Sequence, residues 1–311
     1  VTASAADPFV HPALFYRDQE TYLAGTVPFI GAGLSAGEPV AVAVPAARLG
    51  LLRNALGGRA DQVRLIDMEE AGRNPGRIIP GVLRAFADAH PGKRVRIIGE
   101  PIWAARDQDE YPACVQHEAL INHAFTGQRA TILCPYDTSA LDERVIADAY
   151  ATHPVLIEDS AERASDGYAP DRVIADYNRP LPHAPGAAAF SFDAERLPDV
   201  RRFATDRAAA LGLPRERTDD LALAVAELTT NSVLHGGGTG TLRIWAADGR
   251  IVCEVADRGH LADPLAGRRP ARPGQPGGRG LLLVNHVSDL VRLHATEEGT
   301  TVRIHLTRRR P

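Results

Sequence analysis

The chain has 311 residues, 44% hydrophobic and 24% charged, a balance typical of soluble globular proteins and a length that favours two domains over one. Its formal net charge of -4 and pI near 6.3 supply no global basic field for a nucleic-acid backbone, so direct DNA or RNA binding is not expected. No run approaches an uncharged apolar membrane span, no basic segment followed by an apolar run suggests secretion, and Cys114, Cys134 and Cys253 are too scattered for a disulfide framework or structural zinc.

These features lead to the expectation of a cytoplasmic protein with reduced, buried thiols. From about residue 40 to residue 157, short apolar strands alternate with helical patterns. Strands are expected over 40–44, 63–66, 95–98, 131–134 and 155–157, with helices over 77–90, 113–125 and 141–150 between them. Near-continuous apolar strands joined by helices imply a parallel sheet covered on both faces. Gly31-Ala-Gly-Leu-Ser-Ala-Gly37 invites a nucleotide-loop reading, but it precedes a strand and lacks Gly-Lys-Ser/Thr, so helix-capping and turn glycines explain it better. His117, Glu118 and His123 are spread around one helix by their offsets, and no zinc site is expected on them.

Residues 178–186 read Asn-Arg-Pro-Leu-Pro-His-Ala-Pro-Gly, whose three prolines bar a regular helix or central strand. The expected organisation is a first domain over 1–177, a Pro-rich linker over 178–187 and a second domain over 188–311. In the second domain a strand at 189–192 precedes helices at 197–211 and 218–234. Strands at 241–245 and 251–256, a Gly/Pro/Arg-rich loop, a helix at 281–287 and strands at 290–294 and 301–306 follow. Helices on a mixed, mostly antiparallel sheet make an α/β sandwich.

Four short motifs of this second domain occur in an informative order. Glu227 and Asn231 are slightly more than one helical turn apart, so both project from one side while Leu221, Val225 and Leu228 face the core. An Asn carbonyl oxygen suits Mg²⁺, and a carboxylate beside it can orient or deprotonate a hydroxyl. Two solvated helix residues would look the same in isolation. Strand alternation then places Asp257 at the end of the apolar row Ile251, Cys253 and Val255, where it can accept from an adenine amino group, with Gly259 leaving room for the ring. Asp-x-Gly is also a common turn.

The loop after Arg258 carries Pro264, Pro270, Pro273 and Pro276 with Arg268, Arg269 and Arg272, a mobile-lid composition. It ends in Gly277-Gly278-Arg279-Gly280 before an apolar helix, where glycine amides and the helix dipole can cradle phosphate. A flexible connector capped by glycine is the other reading of that loop. Gly299-Thr300-Thr301 could bring a strand hydroxyl near adenine, with Thr301 as the candidate. His235, before Gly236, Gly237 and Gly238, reads as a C-terminal helix cation instead of a catalytic group.

With Ala-Glu-Leu-Thr-Thr-Asn-Ser-Val-Leu-His, Asp257-Arg258-Gly259 and Gly-Gly-Arg-Gly-Leu in this order, residues 190 to 306 resemble the GHKL (Bergerat-fold) ATPases, and within them the bacterial anti-sigma factor serine kinases. The resemblance implies ATP and Mg²⁺ as cofactors. Asn231 would hold the metal, Glu227 would be the catalytic carboxylate, and Asp257 with Gly259, Gly278, Arg279, Gly280 and Thr301 would bind nucleotide. It also implies a sigma factor and a STAS anti-sigma-factor antagonist as partners, and suggests a homodimer through this domain. A catalytically silent ATP-binding module that sequesters its partner is the alternative. A sensor histidine kinase is not expected, because no dimerisation helix with a phosphoacceptor His precedes the domain; the upstream candidate, His183, lies among prolines.

His11-Pro-Ala-Leu-Phe-Tyr, the segment Phe29 to Glu38, and Arg96-Ile-Ile-Gly-Glu-Pro101 resemble the MEDS sensory domain over roughly residues 8 to 160. That resemblance implies a RecA-like parallel α/β fold without a phosphate loop. A small-molecule ligand would then lie beyond the strand C-termini, near Pro45, Asp67, Gly99, Glu100, Pro135, Tyr136 and Asp137. Glu100 can also be read as a buried structural carboxylate.

Overall fold

A computed structural model describes residues 9–271 and 278–308, and the chain divides into two compact units between Tyr177 and Asn178. The first unit runs β1 (Pro12–Tyr16), α1 (Gln19–Ser35), β2 (Val40–Val44), α2 (Ala46–Leu56), β3 (Val63–Asp67) and the short α3 (Met68–Ala71) and α4 (Ala85–Asp88). It continues with β4 (Val95–Gly99), α5 (Tyr111–Ala124), β5 (Ala130–Asp137), α6 (Glu143–Thr152), β6 (Val155–Glu158), β7 (Ala161–Ala164) and α7 (Pro170–Asp176). The strands form one sheet in the order β3-β2-β4-β5-β1-β6-β7, parallel except for the antiparallel β7 on its edge.

Every residue of β2 is buried, as a strand covered on both faces requires. Two features of this unit depart from the sequence expectation. The glycines at 31 to 37 divide: Gly31 and Gly33 lie within α1, and Gly37, at φ 68°, follows the helix as a turn glycine. Small residues are needed inside α1 because it is pressed onto the sheet. A Cβ at Gly25 would sit 2.5 Å from Leu14 Cδ2, and one at Gly33 2.9 Å from Val40 Cγ2. The helix expected over 77–90 instead begins as a π-wound segment, Ile78–Arg84, containing Pro80, whose missing N–H disfavours α-helical pairing.

The second unit runs β8 (Ala188–Phe192), α8 (Leu197–Ala210), α9 (Arg215–His235), β9 (Gly240–Ala247), β10 (Arg250–Asp257), α10 (Gly280–Val287), β11 (Leu290–Thr296) and β12 (Gly299–Thr307). Its sheet order is β11-β12-β10-β9-β8, with antiparallel pairing throughout. The three helices supply Val200, Ala204, Leu221, Val225, Leu228 and Val284 to a core completed by Ile251, Cys253, Val255 and Ile304 from the sheet. Each large apolar side chain buried there contributes about 1.5–3 kcal/mol. Leu221, Val225 and Leu228 thus fix which side of α9 remains for Glu227 and Asn231.

The opposite sheet face is polar and covered by the proline-rich segment. Glu254, 2% exposed, pairs with Arg303 at 2.6 Å and Arg243 at 3.6 Å, and Arg303 also donates to the carbonyls of Leu181 and Pro182. Asn178 bonds the backbone of Ala295 in both directions. The segment 178–187 is therefore tied to the second unit by hydrogen bonds, even though its sequence reads as a free extended linker.

Candidate functional site

Glu227 and Asn231 lie half-buried on α9, and no hydrogen bond or ion pair joins either side chain to another described residue. The backbone that closes on them is that of Gly280, the first residue of α10. A Cβ at Gly280 would stand 2.6 Å from Glu227 Oε2 and 3.3 Å from Asn231 Nδ2. Motifs separated by about fifty residues therefore meet so closely that no side chain fits between them at position 280. Gly278, at φ 76°, turns the chain into Arg279, which occupies the N-cap position of α10.

Asp257 ends β10 in a tight polar nest. Its Oδ2 accepts from Ser232 Oγ at 2.6 Å and its Oδ1 from the Gly259 amide at 2.8 Å. A Cβ on Gly236 would lie 2.4 Å from Asp257 Cγ, and one on Gly259 2.6 Å from the carbonyl oxygen of His235. Both glycines are thus required by close approach of α9 to the end of β10. His235 is exposed in the last turn of α9, as the helix-end reading has it.

The two candidate strand hydroxyls fall on opposite faces of the sheet. Antiparallel register sets Asp257 opposite Thr300 and Ala256 opposite Thr301, so Thr300 shares the face of Asp257 and Thr301 points to the other face. Thr300 Oγ1 donates to the Gly259 carbonyl at 2.6 Å, fixing the glycine turn. Sequence reasoning missed Ser232, Gly236 and Thr300. A carboxylate ending an apolar row needs a donor, and Ser232 next to Asn231 was the available signal.

Part of the Arg-rich loop is ordered against this site. Leu265 is 3% exposed, and Gly267, at φ 70°, lies so near α10 that a Cβ would meet Leu281 Cβ at 2.5 Å. Asn285 donates to the Gly267 carbonyl at 3.1 Å, and Arg269 pairs with Asp263. Arg272, Pro273, Pro276 and Gly277 lie outside the described residues.

In the first unit a second polar cluster stands at the carboxyl ends of β1, β4 and β5. Tyr16 donates to Glu100 Oε1 at 3.4 Å, and Arg48 reaches Tyr16 Oη at 3.0 Å and Asp137 Oδ2 at 3.2 Å. The Arg48 guanidinium also lies over the rings of Tyr16 and Tyr22. Burial pushes the Glu100 carboxyl up to about 8 against the opposing pull of Arg48 and Tyr16, so it is predominantly protonated at pH 7. Of the strand-end residues named from sequence, Glu100 and Asp137 are brought together here. His123, by contrast, pairs with Asp171 at 2.8 Å, outside any metal set.

Comparison with known proteins follows the same division. The MEDS family model (MEthanogen/methylotroph, DcmR Sensory domain) matches residues 10–154, and the Histidine kinase-like ATPase domain model matches residues 190–306. The chain joins a MEDS domain to a histidine kinase-like ATPase domain. The ATPase domain is similar to the Serine-protein kinase RsbW of Halalkalibacterium halodurans, with 32% identity over 106 residues, covering 30% of this chain and 65% of the relative. The chain thus spans somewhat less than two thirds of that curated relative. A crystal structure of the RsbU and RsbW domains of a Mycobacterium tuberculosis protein aligns with 21% identity and a TM-score of 0.31, covering 42% of this chain and 34% of the other. The ATPase domain's helices over one face of its sheet fit the Bergerat fold, and the MEDS domain's sheet is the parallel α/β unit expected. Among the described residues no helix is long and apolar enough to cross a membrane.

Proposed function

We propose that the chain is a cytoplasmic sensory regulator of transcription. Its ATPase domain binds a sigma factor and phosphorylates a serine of an anti-sigma-factor antagonist (STAS) protein, and its MEDS domain takes a small-molecule signal. The convergence of Glu227, Asn231 and the Gly280 backbone carries this reading, because it joins a carboxylate, an Asn amide group and a helix N-terminus on one spot. The domain's likeness to a serine-protein kinase supports it.

In this reading Asp257, held by Ser232 and Gly259, accepts a hydrogen bond from the adenine amino group. The amides at Gly278 and Gly280 hold phosphate oxygens at the start of α10. The uncommitted carbonyl oxygen of Asn231 fits Mg²⁺, which would neutralise charge on the phosphates. Glu227 orients the serine hydroxyl and takes its proton as the oxygen bonds to the γ-phosphorus and the bond to the ADP oxygen breaks.

Labelled ATP, Mg²⁺, the full chain and a candidate STAS protein test the proposal directly. Phosphoserine should form on the STAS protein with wild type and be lost with Glu227→Ala. Partner binding without transfer, unchanged by that substitution, would defeat the kinase reading and leave a non-enzymatic sequestering module.

A further inference from the structure

Four side chains that share no local sequence spacing meet inside the MEDS domain. His11 precedes β1, Glu118 lies on α5, Cys134 on β5, and His153 follows α6, and all four are at most 1% exposed. The register explains the meeting of the first and third. Ala13 pairs with Cys134 and Val10 bridges Thr131 in parallel, so His11, two residues before Ala13, faces the same side as Cys134. His11 Nε2 is 3.4 Å from both Glu118 Oε2 and Cys134 Sγ, and His153 Nε2 is 3.1 Å from Glu118 Oε2. All four ligand atoms lie within 4.8 Å of one another.

Hydrogen bonding behind the two rings determines what they present to the cluster. His153 Nδ1 lies 2.9 Å from the Ala149 carbonyl, which can only accept, so Nδ1 carries the proton. Asn122 Nδ2 donates to the carbonyls of Glu118, Ala119 and Thr152, which orients its amide and leaves Oδ1 to accept from His11 Nδ1 at 3.2 Å. Bonded from behind through Nδ1, both rings aim Nε2 at the Glu118 carboxylate, and His11 Nε2 also faces Cys134 Sγ. Consistent with this, Glu118 Oε1 and Oε2 and His153 Nε2 are buried without a hydrogen-bond partner. Acceptors facing one another in a dry interior repel unless a cation lies between them.

We propose that His11, Glu118, Cys134 and His153 bind a divalent transition metal ion, with Zn²⁺ the best match to donor set and geometry. Tetrahedral bonds of about 2.0–2.1 Å to N or O and 2.3 Å to S separate neighbouring ligand atoms by roughly 3.3–3.7 Å. Two of the close approaches, both 3.4 Å, fall at that spacing, and the third, 3.1 Å, lies just below it. Charge also balances: the Glu118 carboxylate and a Cys134 thiolate offset the dication, and the thiol proton leaves to solvent as the metal–sulfur bond forms. With all four positions taken by protein, the site is closed and structural, tying β1, β5, α5 and α6 together. Asn122 and the Ala149 carbonyl orient the ligating rings from behind.

The test uses the full, tag-free chain produced in medium supplemented with Zn²⁺ or Co²⁺. Elemental analysis should find about one ion per chain. The Co²⁺ form should show a thiolate-to-metal charge-transfer band in the near-ultraviolet and intense visible bands of tetrahedral cobalt. Cys134→Ser should lose the charge-transfer band, while Cys114→Ser and Cys253→Ser keep it. Asn122→Ala should weaken Zn²⁺ affinity about 10–100-fold in chelator competition. Wild type alone decides the matter if a variant misfolds: metal below roughly a tenth of an equivalent, or a Co²⁺ form without the sulfur band, overturns the site and leaves a cluster held by protons. Persistence of the band in Cys134→Ser overturns it as well.

Discussion

Gly280 lies so close to Glu227 that a Cβ on the glycine would stand 2.6 Å from the carboxylate oxygen Oε2. The obstructed atom is the end of a flexible side chain, so Gly280→Ala should leave thermal stability nearly unchanged while displacing Glu227. Phosphoryl transfer should fall by about 10-fold or more, approaching the roughly 10²–10⁴-fold loss expected for Glu227→Ala. Steady-state kinetics beside a thermal melt separates the two effects; wild-type transfer in Gly280→Ala would show that Glu227 does no chemistry.

Asn231→Ala should abolish the Mg²⁺-dependent part of ATP binding and leave the fold intact. The side chain has no bond to another described residue, so its loss removes a metal ligand without opening the core. Calorimetry with and without Mg²⁺ reads this, and unaltered affinity would count against the site.

Thr300 and Thr301 offer a paired comparison. Thr300→Val removes the bond to the Gly259 carbonyl, costing about 1 kcal/mol and loosening the turn under Asp257, so ATP affinity should drop. Thr301→Val, on the other sheet face, should leave affinity unchanged. Equal effects from both would contradict the register argument.

Arg217 and Asp289 form a buried pair at 2.6 Å, and Asp289 also accepts from the Thr307 amide and hydroxyl. This joins the start of α9 to β11 and β12. Asp289→Ala strands a buried guanidinium and should destabilise the ATPase domain by about 3–5 kcal/mol in urea unfolding. A loss below ~1 kcal/mol would mean that Arg217's other partners, Asp220 and the Val287 carbonyl, suffice.

Glu100 should make the MEDS domain sensitive to alkaline pH. Its folded-state value of about 8 lies above the ordinary 4.5, so the folded state holds the proton more tightly than the unfolded chain. Stability from this group is complete below about pH 4.5 and declines towards pH 8, by up to ~1.4 kcal/mol per pH unit. Glu100→Gln mimics the neutral form and should flatten that slope. Unfolding midpoints between pH 5 and 9 check it, and identical slopes in both proteins would refute the assignment.

The amino-acid order alone determined the two-domain plan, most second-domain elements, and which residues are proposed to hold nucleotide. Apolar periodicity reports directly on which face of a helix or strand is buried, and the motifs proposed to hold phosphate and metal are each contiguous in the chain. The pairing of Asp257 with Thr300 was hidden, since strand register is a property of two segments that sequence lists separately. Gly33 reads as a capping or turn glycine in sequence, yet it lies inside α1, because a side chain that leaves no room for a Cβ there, Val40, belongs to a strand packed across from it. The His11, Glu118, Cys134 and His153 cluster was least legible of all. Local spacing around His117 and His123 argued against a metal, while the parallel sheet carried four distant residues into one dry pocket. Only tertiary structure could decide that, because ligand convergence depends on distance in space and on which nitrogen of each imidazole the surrounding hydrogen bonds leave bare.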